Sequence, residues 1–234
     1  MALDRATIVK AALDLLDETG MEGLRMRRLA NALQVQAPAL YWHFPGKPAL
    51  LDDMAEALVA GVADKITADG DYTDAMRSSA REMRRALRSR RDGARVFAGT
   101  FVARPNVLGM GEVVIGSLRG AGFDAQVAVR AVFSLMYFVM GFVIEEQALI
   151  EQSLQAGGAH PLAEALEAFC SSSEGYPNIR AGLPELLDTD QDARFEFGVE
   201  LIIAGLATNK SASDTRPGDD REALAGNVPE RMAR

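Results

Sequence analysis

The chain has 234 residues, 48% of them hydrophobic and 25% charged, with a net charge of −8 and a single cysteine, Cys170. This is ordinary globular composition with ample material for a core, and it excludes an intramolecular disulfide or a multi-cysteine metal site, as suits a reducing cytoplasm. The opening MALDRATIVK lacks an apolar signal core, so no secretory peptide is expected, and the most apolar uncharged run, residues 131–144, is shorter than the ~18 residues of a membrane span.

Asp4 is placed to cap a first helix, in which Ile8, Ala12, Leu15 and Leu16 share one face and which Gly20 ends. Leu24, Leu29, Ala30 and Leu33 form the inner stripe of a second short helix. Gln34-Val35 makes a turn, and residues 36–43 form a third helix that tolerates Pro38 in its first turn. Leu40 and Phe44 point back to the first two helices, and a core position is also expected for Trp42. Pro45-Gly46 breaks the chain before a fourth helix, from Lys47 through Leu50, Met54, Leu58 and Val62 to about Ile66.

Within residues 24–47 the formally charged side chains are Arg25, Arg27, Arg28 and Lys47, with no acid. A bihelical unit with one cationic face is what a major-groove reader requires. Residues 1–47 hold six basic and five acidic side chains, a net of +1, so the remainder carries −9. An acidic body is repelled by phosphate, which leaves contact with DNA to the N-terminal end.

Past a boundary near residues 70–72, an amphipathic helix over 76–87 shows a basic outer side (Arg77, Arg81, Arg84, Arg85, Arg88), expected to be solvated. Arg91-Asp92-Gly93 is a turn, followed by a short apolar helix. Pro105 starts a helix that ends near Gly120, and Asp124 caps a long one to about Gln152. Residues 131–144 are apolar on every side, so that helix needs cover on more than one face. The stretch 155–190 reads as a mobile connection around one short helix at 161–170. A last helix spans 193–207, and residues 208–234 form a polar tail expected to be disordered. No strand-period alternation is sustained anywhere. The fold class is all-α: a helix-turn-helix unit (1–47), a connecting helix (48–66) and a helical ligand-binding and dimerisation domain (67–207).

The stretch ETGMEGLRMRRLANALQVQAPALYWHFPGKPALLDDMA resembles the tetracycline repressor family of bacterial regulators, most specifically in ALYWHF followed by GKPALL. The likeness extends to RRDGARVFAGT, GFVIEEQ and FEFGVELIIAGL. It implies an all-helical homodimer that sits on a palindromic operator in the cytoplasm and leaves when a small molecule binds. By the same resemblance, Arg27, Ala37, Pro38, Ala39 and Tyr41 face base edges or nearby backbone, while Tyr41, His43 and Lys47 hold phosphates. Arg27 is the strong base reader on chemical grounds, because a guanidinium matches the O6/N7 edge of guanine. Where tetracycline-binding members carry glutamine and threonine at the head of the helix, this chain has Ala37 and Ala39, which can touch a thymine methyl but bond no base. A different operator is therefore expected.

Soft and aromatic residues suggest a ligand pocket: Met76, Met83, Phe97, Phe101, Met110, Phe133, Met136, Tyr137 and Met140. Any one of them fits an ordinary core equally well; the resemblance is what puts a pocket here. Members that bind magnesium–tetracycline use a histidine at the position of Phe97 and another at Ala63, and Ser79 and Met83 stand where drug-gripping polar residues do. Glu145 is kept, but one carboxylate is a poor magnesium site. The expectation is a largely apolar effector with no metal and no cofactor. For the dimer, the all-apolar helix should pair with its copy and with 193–207 in a four-helix bundle, through Val132, Val139, Val143, Gly198, Ile202 and Gly205.

An enzyme is not expected. His43 and His160 lack metal-type spacing, and there is neither a glycine-rich phosphate loop nor a nucleophile elbow. A small-molecule carrier or an activator with the same fold remains open as an alternative.

Overall fold

The computed structural model describes residues 3–68, 70–100, 103–158, 160–172 and 176–214. Among these there are only helices: α1 (Arg5–Gly23), α2 (Met26–Ala32), α3 (Ala37–Tyr41), α4 (Lys47–Leu58), a 3₁₀ turn (Ala63–Lys65), α5 (Tyr72–Arg88), α6 (Gly93–Phe97), α7 (Pro105–Gly120), α8 (Ala125–Gln155), α9 (Ala163–Ser172), α10 (Pro177–Ala181), α11 (Leu183–Leu186) and α12 (Gln191–Asp214). They pack around two hydrophobic cores.

The smaller core joins α1 to α4. Ile8, Leu16, Leu24, Leu29, Leu40, Phe44, Leu50 and Met54 are fully buried in it, with Val96 of α6 added from the body. The Asp4 carboxylate caps α1 by accepting the Thr7 N–H at 2.7 Å, a bond that holds its carboxyl below the ordinary aspartate range. Gly20, at φ +66°, breaks the regular helix and leaves one short turn to Gly23. Arg5 lies 4.2 Å above the Phe44 ring and donates to the His43 carbonyl (2.6 Å) and to Asp53 (2.9 Å), fastening the end of α3 to α1 and α4.

The larger core holds α5, α6, α7, α8 and α12 together. By length and apolarity α8 could cross a membrane; here Ala128, Ala131, Leu135, Val139 and Val143 are buried in that core, against α5, α6, α7 and α12.

Four expectations need correcting. The helix read from Lys47 to about Ile66 stops at Leu58, and Gly61 turns the chain at φ +71° before the 3₁₀ turn. Val62 and Ile66 are buried all the same, which is why apolar spacing ran on without a visible break. The 155–190 stretch carries α10 and α11 as well as α9, because Pro177 and Pro184 sit in first helical turns instead of breaking them. The last helix continues to Asp214, so the polar tail begins as helix; residues 215–234 lie outside the described residues.

The fourth concerns the basic side of α5, which is not simply solvated. Arg77 makes paired hydrogen bonds to Glu200 (2.5 and 3.0 Å) and Arg81 to Glu196 (2.8 and 2.7 Å), and the Arg77 guanidinium holds the Glu200 carboxyl below its usual range. Arg84 is buried. It bonds Glu146 of α8 at 3.1 and 2.6 Å, reaches Asp192 at 2.8 Å, and lies over the Phe195 ring at 4.5 Å. Arg77, Arg81, Arg84 and Arg88 form a seam that clasps α8 and α12, while Arg85 stays solvated and pairs with Glu82 of its own helix.

Candidate DNA-reading head and ligand cavity

The tight turn between α2 and α3 depends on Gln34, at φ +56°, and leaves the head of α3 facing outward. Pro38 is exposed there, and Ala37 and Ala39 are half-buried. Arg25, Arg27 and Arg28 are exposed and enter no ion pair among the described residues. The arginines of α5 and of the turn into α6 contrast with them: Arg77, Arg81, Arg84, Arg85, Arg88, Arg90, Arg91 and Arg95 are all paired with carboxylates. Three unpaired guanidinium groups are thus gathered on the head, where a polyanion can take them up; in the body Arg119 and Arg130 also lack a carboxylate partner among the described residues.

Tyr41 is half-exposed, and Trp42 is 89% exposed. The core position expected for Trp42 is wrong for a geometric reason. Leu40 and Phe44, four apart, take the inner face, and a residue midway between them points the other way. Trp42 therefore joins the outward surface beside Tyr41. His43 is half-buried, with its backbone carbonyl occupied by Arg5. The Lys47 ammonium donates to the Met21 carbonyl at 3.2 Å, which leaves two of its three N–H donors for a phosphate.

A cavity of about 900 Å³ opens between α5, α6, the segment after α6, α7 and α8. Ser79, Met83, Phe97, Met110, Phe133, Met136, Tyr137 and Met140 all line it. Phe101 lies outside the described residues, and Met76 is buried in the core without reaching the cavity. The Thr100 hydroxyl is occupied by the Phe97 carbonyl at 2.7 Å, whereas Ser79 is buried and its hydroxyl makes no hydrogen bond among the described residues. The lining missed by residue-type reasoning includes Ala103, Val107, Leu108, Glu112 and Val129, which no soft or aromatic signature marks.

The expected dimer surface is largely displaced. Val139 and Val143 are fully buried inside one chain, and Val132 and Val139 line the cavity, so these valines do not present a surface to a partner. A Cβ on Gly198 would come within 2.3 Å of the Phe138 ring, so this glycine lets α12 approach α8 of its own chain. Ile202 packs partly on the same core. Gly205 does lie on an exposed face, in line with Phe197 (66% exposed) and Leu201 (58%) at four-residue spacing. On α8, Tyr137 (55%) and Gly141 are exposed likewise. A helix that is apolar all round cannot tell in sequence which side its own chain covers.

Head and cavity are joined by two acids of α4 that sequence reasoning missed. Asp53 accepts from Arg5 of α1 and, at 2.5 Å, from Arg104 just before α7. Glu56 caps α7, accepting the Asn106 N–H at 2.8 Å and the Val107 N–H at 3.2 Å, while the Asn106 amide donates back to the Glu56 carbonyl at 3.3 Å. A further contact closes the other side, where the Asp92 carboxylate accepts the Met21 N–H at 2.7 Å.

Comparison with known proteins falls on both parts. Residues 8–54 match the model of bacterial regulatory proteins of the tetR family, and residues 66–210 match the tetracyclin repressor-like C-terminal domain. The chain is 39% identical over 220 residues to the class A tetracycline repressor protein of transposon 1721 from Escherichia coli, covering 92% of this chain and 97% of that one. It is similar to the crystal structure of a possible TetR family transcriptional regulator from Streptomyces coelicolor A3(2), with 46% identity, a TM-score of 0.77, and coverage of 88% and 100% of the two chains. It is also similar to the Streptomyces coelicolor TetR family protein ActR in complex with actinorhodin, at 29% identity, a TM-score of 0.76, and coverage of 89% and 98%.

Proposed function

The chain belongs to the tetracycline repressor family of ligand-responsive, DNA-binding transcriptional regulators, and we propose that it is a cytoplasmic repressor that holds a palindromic operator as a homodimer and releases it when an apolar effector fills the cavity. The observation that carries this reading is the pairing of unneutralised arginines on the head with a 900 Å³ cavity whose wall helix, α7, is capped by α4.

In this reading α3 enters the major groove. Arg27 reads a guanine, Ala37, Pro38 and Ala39 lie against the bases, and Tyr41, His43 and Lys47 hold phosphates, with the exposed Trp42 beside them. Two heads must stand about 34–36 Å apart to meet successive turns of the duplex. The exposed face of Phe197, Leu201 and Gly205, together with Gly141, is the surface for the second copy. Duplexes selected from a random pool provide the test. Arg27→Ala should leave the dimer intact in sedimentation and cost roughly 1–3 kcal/mol of discrimination at one base pair. Leu201→Glu should yield monomers and lose operator retention. A wild-type monomer, or a pool from which no palindrome emerges at low salt, would refute the reading.

Several relatives carry tetracycline in their names. This chain has the cavity but not the metal chemistry. Phe97 has no lone pair for magnesium, and the one carboxylate in the cavity lining is that of Glu112. Tetracycline with magnesium is expected to leave the melting temperature unchanged; a magnesium-dependent rise would show the effector to be tetracycline after all.

A further inference from the structure

The cavity lining carries one formal charge. Glu112 is its single ionised side chain at neutral pH, and no lysine or arginine contributes to the lining. Arg104, next in sequence to the lining residue Ala103, is already held by Asp53. The Glu112 carboxylate is exposed and enters no hydrogen bond or ion pair among the described residues, whereas Asp53 and Glu56 below it are fully engaged. Leu108, Glu112 and Ile115 recur at helical spacing along α7, facing Val129, Phe133 and Tyr137 of α8. All six line the cavity, and all but Ile115 are exposed, so they form its mouth.

This arrangement sorts ligands by charge. An anion entering the cavity would lose its hydration, find no cation, and meet a carboxylate of like sign. A neutral apolar molecule would be accepted without preference. A cation carried at one edge of an apolar scaffold gains twice: the scaffold fills the methionine-rich interior, and the charge stays at the mouth beside Glu112 and the ring faces of Phe133 and Tyr137. The acidic body, −9 outside residues 1–47, raises the local concentration of cations further.

Taking the cavity as the effector site, we infer that the effector is a polycyclic apolar amine, protonated at neutral pH and seated with its charge toward Glu112. Three tricyclic probes of one skeleton test this: 9-aminoacridine as the cation, acridine as the neutral form and acridine-9-carboxylate as the anion. Each is titrated calorimetrically into the full chain without DNA. The cation should bind about 3–30-fold more tightly than acridine, and the anion about 100-fold more weakly or not at all. Glu112→Gln should erase the advantage of the cation and leave acridine unchanged. Val129→Trp, which blocks the mouth from an exposed position, should abolish binding of both. Equal affinity of cation and neutral form, or a cation preference that survives Glu112→Gln, overturns the inference while leaving the cavity as the effector site. Failure of every probe to bind, or binding indifferent to Val129→Trp, overturns the inference together with the effector site it rests on.

Discussion

Glu146→Ala should lower the unfolding free energy by roughly 3–5 kcal/mol in a urea titration. Glu146 and Arg84 are both buried, and they meet in a two-pronged pair at 2.6 and 3.1 Å. Removing the carboxylate strands a guanidinium between α5, α8 and α12 whose remaining acidic partner, Asp192, is largely exposed and screened by solvent. Arg88, 3.2 Å from the same carboxylate, loses its partner too. Against a typical domain stability of about 5–15 kcal/mol, a loss of that size is a third or more of the total. The double replacement Arg84→Met with Glu146→Leu separates two explanations. If the pair only compensates its own burial, the double variant should be nearly as stable as the parent or more so. If the double variant is as unstable as Glu146→Ala, the pair is itself stabilising, together with the stacking of Arg84 on Phe195 and Phe142 that Glu146→Ala leaves in place and the double variant removes.

The same pair marks where local pattern runs out. Asp4, Asp124, Pro105 and the Gln34 turn are signals that act within a few residues of themselves, and each falls where a helix starts or the chain turns. The basic side of α5 is equally plain in sequence, but the carboxylates of α8 and α12 that it meets lie between 58 (Arg88 to Glu146) and 123 (Arg77 to Glu200) positions away, and spacing says nothing about them. Trp42 was misplaced because an aromatic residue invites burial, while its two-residue offset from Leu40 and Phe44 turns it outward. On α8, apolar residues occupy every side, so Val139 and Val143 could not be assigned to the chain's own core or to a partner. The close approach of Gly198 to Phe138 decides which face α12 covers. The cavity was legible through its methionines and aromatics together with the family likeness. Its charge was not, since an exposed glutamate on a helix looks like any other.

Glu56→Gln is expected to leave operator affinity within about threefold of the parent and to disconnect the head from the cavity, the energy at stake being about 1–3 kcal/mol of coupling. The glutamate accepts two backbone N–H groups at the positive end of α7. Glutamine has one oxygen for two donors, so its NH₂ must face the second N–H. The cap opens although the shape of the side chain is kept. Asp53 then holds Arg104 alone, and α7 can shift under a ligand without carrying α4 along. Because coupling between two sites is reciprocal, the test needs no effector. In the parent, binding of a selected operator at the head should change the hydrogen-exchange rates of the amides of residues 106–110, by about 5–150-fold if the full coupling is expressed there. In Glu56→Gln those rates should be the same with and without DNA. An operator effect of parental size in the variant would mean that the signal passes elsewhere. The contact of Asp92 with the Met21 N–H, which ties the turn before α6 to the end of α1, would then be the route to examine.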